Sequence, residues 1–347
     1  MNEFVTFYKD NKELLENIIK KYNDELLKED NKIIKDNLKQ FVKLNSGGKR
    51  IRGLLIMLGY YLKNDDLIYS MPLAAAYEFF QTSILVHDDI IDNGIYRRNE
   101  LTIPYYNSKK YSINDSNTFN SIGLCVGDLG LYYANKIIID SYEGNDLSNI
   151  LNIYNNTVID TIRGELLDVV TPFFEKNDIK IDDLEKEIMN IYSLKTAYYT
   201  FIGPLSLGMK LSGFDDSYIK KIEKFALNLG IAFQINDDVI GIYKDDTGKD
   251  IGSDIFEFKQ TILYSYTKNT NYYNELMKYY GQDSKKENAI EKVREIFDKS
   301  GAKEYALKTI KDLFDESIKT LDSIDFIDEE KKSLLYGLVD YLREMSE

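Results

Sequence analysis

The sequence predicts an all-α protein organised as a single domain, residues 1–347. Three observations carry that expectation. Apolar residues recur at helical spacing through most of the chain, no stretch alternates apolar and polar residues as a strand does, and no repeat or low-complexity domain interrupts the pattern. The hydrophobic content of 44% is enough for a large core, and no linker divides it. A net charge of −14 argues against a nucleic-acid partner and against a basic membrane patch. The single Cys125 excludes an internal disulfide framework and fits a reducing interior. No N-terminal signal and no apolar run of about 18 residues is visible, so the expectation is a soluble, cytoplasmic protein.

Taken in order, Met1 to about Leu27 reads as an amphipathic helix with Phe4, Phe7, Tyr8, Leu14, Leu15, Ile18 and Ile19 on its apolar side. A second helical stretch runs through Ile33, Ile34, Leu38, Phe41 and Val42. The segment NSGGKRIRG (45–53) then opens into the apolar run LLIMLGYYL. Lys49, Arg50 and Arg52 fall at a helix start, where the dipole disfavours positive charge. Gly47 and Gly48 let backbone approach a ligand closely. Glycine turn, free N–H groups and three cations together suit an anion such as a diphosphate; the bland alternative is an exposed basic turn.

The stretch from Ser70 to Asn99 is the counterpart. Ser70 and Pro72 suit a helix start, Asn93 and Gly94 its exit, and the residues between are mostly apolar. Asp88, Asp89 and Asp92 fall in the last two turns, with Asp88 and Asp92 on one face. Three carboxylates repel each other there and oppose the helix dipole, and cations would relieve both problems. Clustered oxygen ligands suit Mg²⁺, and Arg97-Arg98 is a natural diphosphate clamp; a solvated acidic helix end is the alternative. Residues 105–120 read as a polar loop, and helical spacing resumes in SIGLCVGDLGLYYANKIII. NTVIDTIRGELLDVV is helical and brings Glu165 near Asp168. A long helical stretch from Ile181 to Gly213 carries Lys195-Thr196 and should kink at Pro204. The next helix, capped by Asp215 or Ser217, delivers Asp237 and Asp238 near its own C-terminal end. The C-terminal remainder reads as helices, with Gly301 breaking one from the next.

SGGKRIRG, then Gln81 ahead of DDIID (88–92), then Arg97-Arg98, then Lys195-Thr196, then FQINDD (233–238) resemble the trans-isoprenyl diphosphate synthase, or polyprenyl synthetase, family. That family includes farnesyl and geranylgeranyl diphosphate synthases. The resemblance implies an isoprenoid-synthase-type bundle of roughly ten core helices around a deep central cavity, usually homodimeric. It implies that Asp88, Asp89, Asp92, Asp237 and Asp238 hold roughly three Mg²⁺ ions. Arg97, Lys195, Lys249 and Lys259 match residues that bind the allylic diphosphate. Lys49, Arg52, Gln81 and Arg98 match those that hold isopentenyl diphosphate. Asp88, Asp92, Asp237, Lys195, Thr196 and Gln234 are the implied catalytic set, with the Thr196 oxygen facing a developing carbocation. Tyr199 matches a residue lining the homoallylic site, Asp254 an acidic residue between the two loop lysines, and Gly127-Asp128 a segment that is structural. Two departures stand out: Gly241 replaces the third aspartate of the second motif, and the sequence ends REMSE without the basic tail of some members.

The implied reaction is Mg²⁺-dependent head-to-tail condensation of isopentenyl diphosphate with allylic diphosphates. The lone His87 has no assigned role. A terpene cyclase, needing no second diphosphate site, and a non-catalytic regulatory subunit are the rival readings. Chain length points to geranylgeranyl diphosphate, with farnesyl or longer products as alternatives. In the family, an aromatic four or five residues before the first aspartate stops growth at farnesyl. Here those positions are Ile84 and Ser83, so the channel floor falls to Phe80, with Tyr77 a further turn below.

Overall fold

Helix follows the apolar periodicity nearly everywhere in the computed structural model, which describes residues 2–177, 179, 181–244, 252–281 and 288–345. Contacts group the chain into two compact units, residues 5–152 with 207–214, and residues 2–4 with 153–206 and 215–347.

The first unit is built from α1 (Glu3–Leu26), α2 (Lys32–Asn45), α3 (Ile51–Tyr61), α4 (Met71–Ile91), α5 (Ile103–Tyr111) and α6 (Ser116–Ser141). Asn31 starts α2, its side-chain oxygen accepting from the N–H groups of Ile33 and Ile34 at 3.0 and 3.2 Å. The core helix is α4, with Leu73 through Phe80 buried without interruption. Glycines let α6 press onto it: a Cβ on Gly127 would lie 2.3 Å from His87 Nε2, and one on Gly130 2.4 Å from Ser83 Oγ. Gly127 is thus structural, and His87 is a packing residue against it.

Five sequence expectations change here. Ser70 does not cap α4; its hydroxyl donates to Leu67 C=O at 2.7 Å within a 3₁₀ turn, and Pro72 supplies the helix start. The exit uses Asn93, at φ 53°, rather than Gly94 as its left-handed residue. Residues 105–120 are not a loop, because Pro104 starts α5 and the Asp115 side chain caps α6 through Thr118 N–H at 3.0 Å. The chain also has a strand pair, β1 (Tyr96–Arg97) with β2 (Glu100–Leu101). Furthermore, α6 is long and apolar enough to cross a membrane by composition, with mean hydropathy 1.3 over 18 residues. Core helices share that composition, and α6 packs its glycine face on α4.

α7 (Gly144–Lys176) runs from the first unit into the second, which continues with α8 (Leu184–Ile191), a π-helical segment (Tyr192–Ile202), the start of α9 (Gly203–Leu211), whose residues 207–211 belong to the first unit, and α10 (Asp216–Tyr243). Short helices α11 (Ser253–Phe256), α12 (Ile262–Lys268) and α13 (Tyr273–Leu276) lead to α14 (Ala289–Ser300), α15 (Ala302–Asp322) and α16 (Glu329–Glu344). Gly301, at φ 82°, separates α14 from α15 as the sequence indicates. The kink expected at Pro204 is replaced by the π-helical run before it, and Pro204 sits at the start of α9. A π-helix is wider than an α-helix, so its neighbours must yield. Two glycines do so: a Cβ on Gly164 of α7 would lie 2.4 Å from Lys195 N, and one on Gly230 of α10 2.3 Å from Ala197 Cα.

Candidate active site

In the first unit, acid and base meet at the end of α4. Successive helical residues point about 100° apart, so neighbouring aspartates cannot share a direction. Asp88 and Asp92 are half-buried, whereas Asp89 turns inward and is 3% exposed. Arg97 reaches back to both members of the pair, its Nε donating to Asp89 Oδ1 at 2.6 Å and its terminal nitrogen to Asp88 Oδ2 at 2.8 Å. Burial pushes the Asp89 carboxyl up to about 7 against the pull of Arg97, with Asp88 and Asp92 adding to the rise.

Arg98 serves a different segment. With Asn99 it turns the β1–β2 hairpin at φ 53° and 63°, the pair of left-handed residues that a two-residue I′ turn requires. Its guanidinium donates to Leu44 C=O at 3.0 Å and to Gly47 C=O. A Cβ on Gly48 would meet that guanidinium at 3.0 Å, and its φ of +124° is one that other residues rarely adopt, so Gly48 is the glycine that lets Arg98 lie against this turn. Arg50 does not join the cations of this turn. It is 3% exposed, forks onto Glu16 at 2.8 and 3.0 Å, and donates to Glu78 at 3.2 Å and to Asn45 C=O at 2.6 Å. Glu78, equally buried, also accepts from Gly53 N–H at 2.9 Å. Lys49 stays exposed and Arg52 half-buried. Oriented by its neighbours, the Gln81 amide places its oxygen 3.0 Å from Arg52 and its nitrogen 3.2 Å from Glu78.

Along α4, Tyr77 and Phe80 are fully buried, their rings edge to face with centroids 5.2 Å apart. Ile84 is half-buried one turn before Asp88. Ser83 faces α6, where its Oγ lies close to the Phe41 ring and Gly130.

In the second unit, the π-helical segment carries Lys195 and Thr196. Lys195 Nζ lies 2.6 Å from Asp168 Oδ2 and 2.7 Å from Glu165 Oε2. Lys259 Nζ reaches the same Asp168 oxygen at 3.2 Å. Two of the lysines matched to allylic diphosphate binding therefore converge on one carboxylate; Lys249 lies outside the described residues. Burial pushes the Asp168 carboxyl up, but the two ammonium charges prevail and hold it below its ordinary value. On α10, Asp237 is exposed and Asp238 is 5% exposed. Tyr192 donates to Asp238 Oδ2, Gln234 Nε2 donates to Oδ1 at 2.8 Å, and Thr196 donates its hydroxyl to Gln234 Oε1. Burial raises the Asp238 carboxyl well above its ordinary range, Asp254 adds to that, and these donors pull it back. A Cβ on Gly241 would lie 3.3 Å from Asp254 Oδ2, so the place left by a third aspartate borders another carboxylate. Tyr199 is buried in the same segment.

Among the described residues, no three His, Cys, Asp or Glu side chains form a ready ligand set. The donor chemistry nevertheless fits Mg²⁺. Asp88, Asp92 and Asp237 are oxygen donors open to solvent, and this ion is usually held by one or two carboxylates, with phosphate and water completing the shell. Asp238 spends both oxygens on protein groups, whereas Asp89 gives Oδ1 to Arg97 and keeps a buried Oδ2 with no hydrogen-bond partner. Sequence reasoning missed Glu78, Arg50 and Tyr192 as organisers. A lone glutamate in an apolar run was a signal for the first; Tyr192 gave none among 28 tyrosines.

The polyprenyl synthetase family model matches residues 31–297. The chain belongs to the polyprenyl synthetase family. Within it, a geranylgeranyl diphosphate synthase from Sulfolobus acidocaldarius is 32% identical over 223 residues, 63% of this chain and 62% of that enzyme. The matched stretch thus spans less than two thirds of that relative. A geranylfarnesyl diphosphate synthase from Aeropyrum pernix is 26% identical over 87% of this chain and 91% of its own length. A crystal structure of geranylgeranyl pyrophosphate synthase from Corynebacterium glutamicum, in complex with isoprenyl diphosphate and magnesium, superposes with TM-score 0.86 at 25% identity, covering 96% of this chain and 98% of that one. This polyprenyl synthetase has the all-α fold of those enzymes.

Proposed function

We propose that the chain is a prenyltransferase condensing isopentenyl diphosphate head-to-tail with allylic diphosphates, with geranylgeranyl diphosphate as main product. The observation that carries this is the pairing of outward aspartates with separate cation sets in each unit. Asp88 and Asp92 in the first unit and Asp237 in the second are the proposed ligands of roughly three Mg²⁺ ions, which would offset diphosphate charge and make it a better leaving group. Arg97, Lys195, Lys249 and Lys259 bind the allylic diphosphate and stabilise negative charge as its C–O bond ionises. The Thr196 hydroxyl oxygen, held by Gln234, faces the allylic cation. Lys49, Arg52, Arg98 and Gln81 hold isopentenyl diphosphate so that its double bond attacks that cation. The departing diphosphate takes the final proton. We read both units as one synthetase domain, since the family model runs across them.

The homoallylic cation set is what a terpene cyclase would not need, and both aspartate motifs are what a regulatory subunit could lose. Consumption of isopentenyl diphosphate with Mg²⁺ and an allylic primer tests the reading; an enzyme that releases hydrocarbons and leaves isopentenyl diphosphate untouched would refute it. For product length, the buried Tyr77–Phe80 pair supports a floor one turn below Ile84. Phe80→Ala should lengthen the dephosphorylated product on chromatography by about one isoprene unit, one helical turn being roughly 5.4 Å. We further propose a homodimer. Ile159, Ile162, Leu166, Val169 and Phe173 make a stripe on α7 at coiled-coil spacing, each between 45% and 62% exposed. Light scattering should then return twice the chain mass of 40.3 kDa.

A further inference from the structure

Mid-helix threonines in this chain usually turn their hydroxyl back on their own helix. Thr157, Thr161 and Thr171 on α7 each donate to the carbonyl four residues earlier, at 2.9, 2.7 and 2.6 Å. Thr196 instead gives its proton to a side chain across the gap to α10. The direction of that bond is set at the far end of a chain of hydrogen bonds. Ile262 N–H donates to the Tyr192 hydroxyl at 2.9 Å, which leaves the Tyr192 proton to the short contact with Asp238 Oδ2. The Gln234 amide nitrogen faces Asp238 Oδ1, at 2.8 Å, which is therefore the acceptor, and the shared Tyr192 proton leaves it so on either side of its short contact. The Gln234 oxygen is thereby turned to Thr196, and the Thr196 proton must point at it.

We infer that Asp238 is a positioning residue rather than a metal ligand: anchored by Tyr192, it fixes the sense of a Tyr192–Asp238–Gln234–Thr196 relay, so that Thr196 presents only lone pairs to its remaining side. This rests on the prenyl-transfer reading above. A hydroxyl locked as an acceptor favours a positive centre and gives nothing to a neutral one. Free to rotate, the same hydroxyl could turn its proton toward the cation and oppose it. The arrangement is stiff at both ends. Tyr192, Asp238 and Thr196 are buried, and Thr196 lies in the π-helical segment clamped by Gly164 and Gly230.

Asp238→Asn keeps the shape but reverses the logic. The Tyr192 proton would claim the new amide oxygen, the amide nitrogen would face Gln234, Gln234 would flip, and Thr196 would become an acceptor with its proton free. The test is calorimetric binding, with Mg²⁺, of two allylic diphosphate analogues: one with an ammonium at the reacting carbon, one neutral and isosteric. Wild type should prefer the ammonium form by about tenfold. Asp238→Asn should lose that preference while binding the neutral analogue within about twofold of wild type, and in turnover its loss should fall on kcat rather than on either KM. Thr196→Val, isosteric and remote from the buried carboxylate, should lose the preference too, and adding Asp238→Asn to it should change nothing more. Retention of the preference in Thr196→Val, or an equal loss of both analogues in Asp238→Asn, overturns the relay. If wild type binds neither diphosphate, the prenyl-transfer reading falls and the relay falls with it.

Discussion

The ends of α4 and α10 carry the same two letters, Asp-Asp, and solve the same geometric problem differently. In each, one aspartate faces outward and its neighbour is forced into the protein. At α4 the inward residue, Asp89, is paired with a cation, Arg97, which also holds Asp88. At α10 the inward residue, Asp238, is met by neutral donors, Tyr192 and Gln234, and Asp237 is left exposed. An arginine offsets charge over a wide area, whereas neutral donors impose direction. The first end is thereby built as an electrostatic clamp and the second as an orienting frame.

The comparison breaks first if the outward residues are not equivalent. Asp88→Ala and Asp237→Ala should each lower kcat by roughly 10³-fold while far-UV circular dichroism stays unchanged. Survival of most activity in either variant would remove that end from the site. The cation sets should separate by substrate. Lys49→Ala and Arg52→Ala should raise the KM for isopentenyl diphosphate about tenfold or more and disturb that of the allylic primer little; equal weakening of both would dissolve the division. The inward residues should differ in stability. Asp89→Ala takes away one of the two carboxylates that Arg97 holds, leaving only Asp88, and should cost about 3 kcal/mol in urea unfolding. Asp238→Ala leaves only neutral donors and should cost about 2 kcal/mol.

Acidity gives the sharpest contrast, measured without divalent cations. The folded pKa of Asp89 is raised from 3.8 to about 7, so the folded state binds more protons between those values. Stability from this residue therefore falls as pH rises through that window and levels off above it. Asp168 behaves oppositely. Its pKa is lowered by Lys195 and Lys259, so its contribution is present above 3.8 and lost as pH falls through the folded value. Asp89→Asn should flatten the first slope and Asp168→Asn the second, each without touching the other.

The core helix that carries Asp88 was legible because an apolar run without breakers has few alternatives, and the Gly301 break because a left-handed helix exit favours glycine. Which aspartate of a pair turns inward was not, since that depends on Arg97 and Tyr192 arriving from elsewhere. Arg50 reads as one more cation beside Lys49 and Arg52; only its contact with Glu16 and Glu78, on helices distant in sequence, removes it from the surface. The I′ turn at Arg98-Asn99 has no glycine to announce it. The π-helical run hides because its apolar pattern is too short to distinguish from an α-helix with a proline near its end.

That run also records a length constraint. Gly203 N–H bonds to Tyr198 C=O, five residues back, the mark of a chain holding more residues than an α-helix of the same span would take. Removing one residue between Tyr192 and Ile202 should let the segment relax into ordinary helix at a gain in local backbone energy. It would also rotate everything on one side of the deletion by about 100° relative to the other. Lys195 could not then meet Asp168 while Pro204 kept its place. Insertions and deletions are tolerated readily in the surface connections of such a bundle, but here the count of residues is itself part of the chemistry, and a single codon lost would undo it even where the residue removed takes no part in the site.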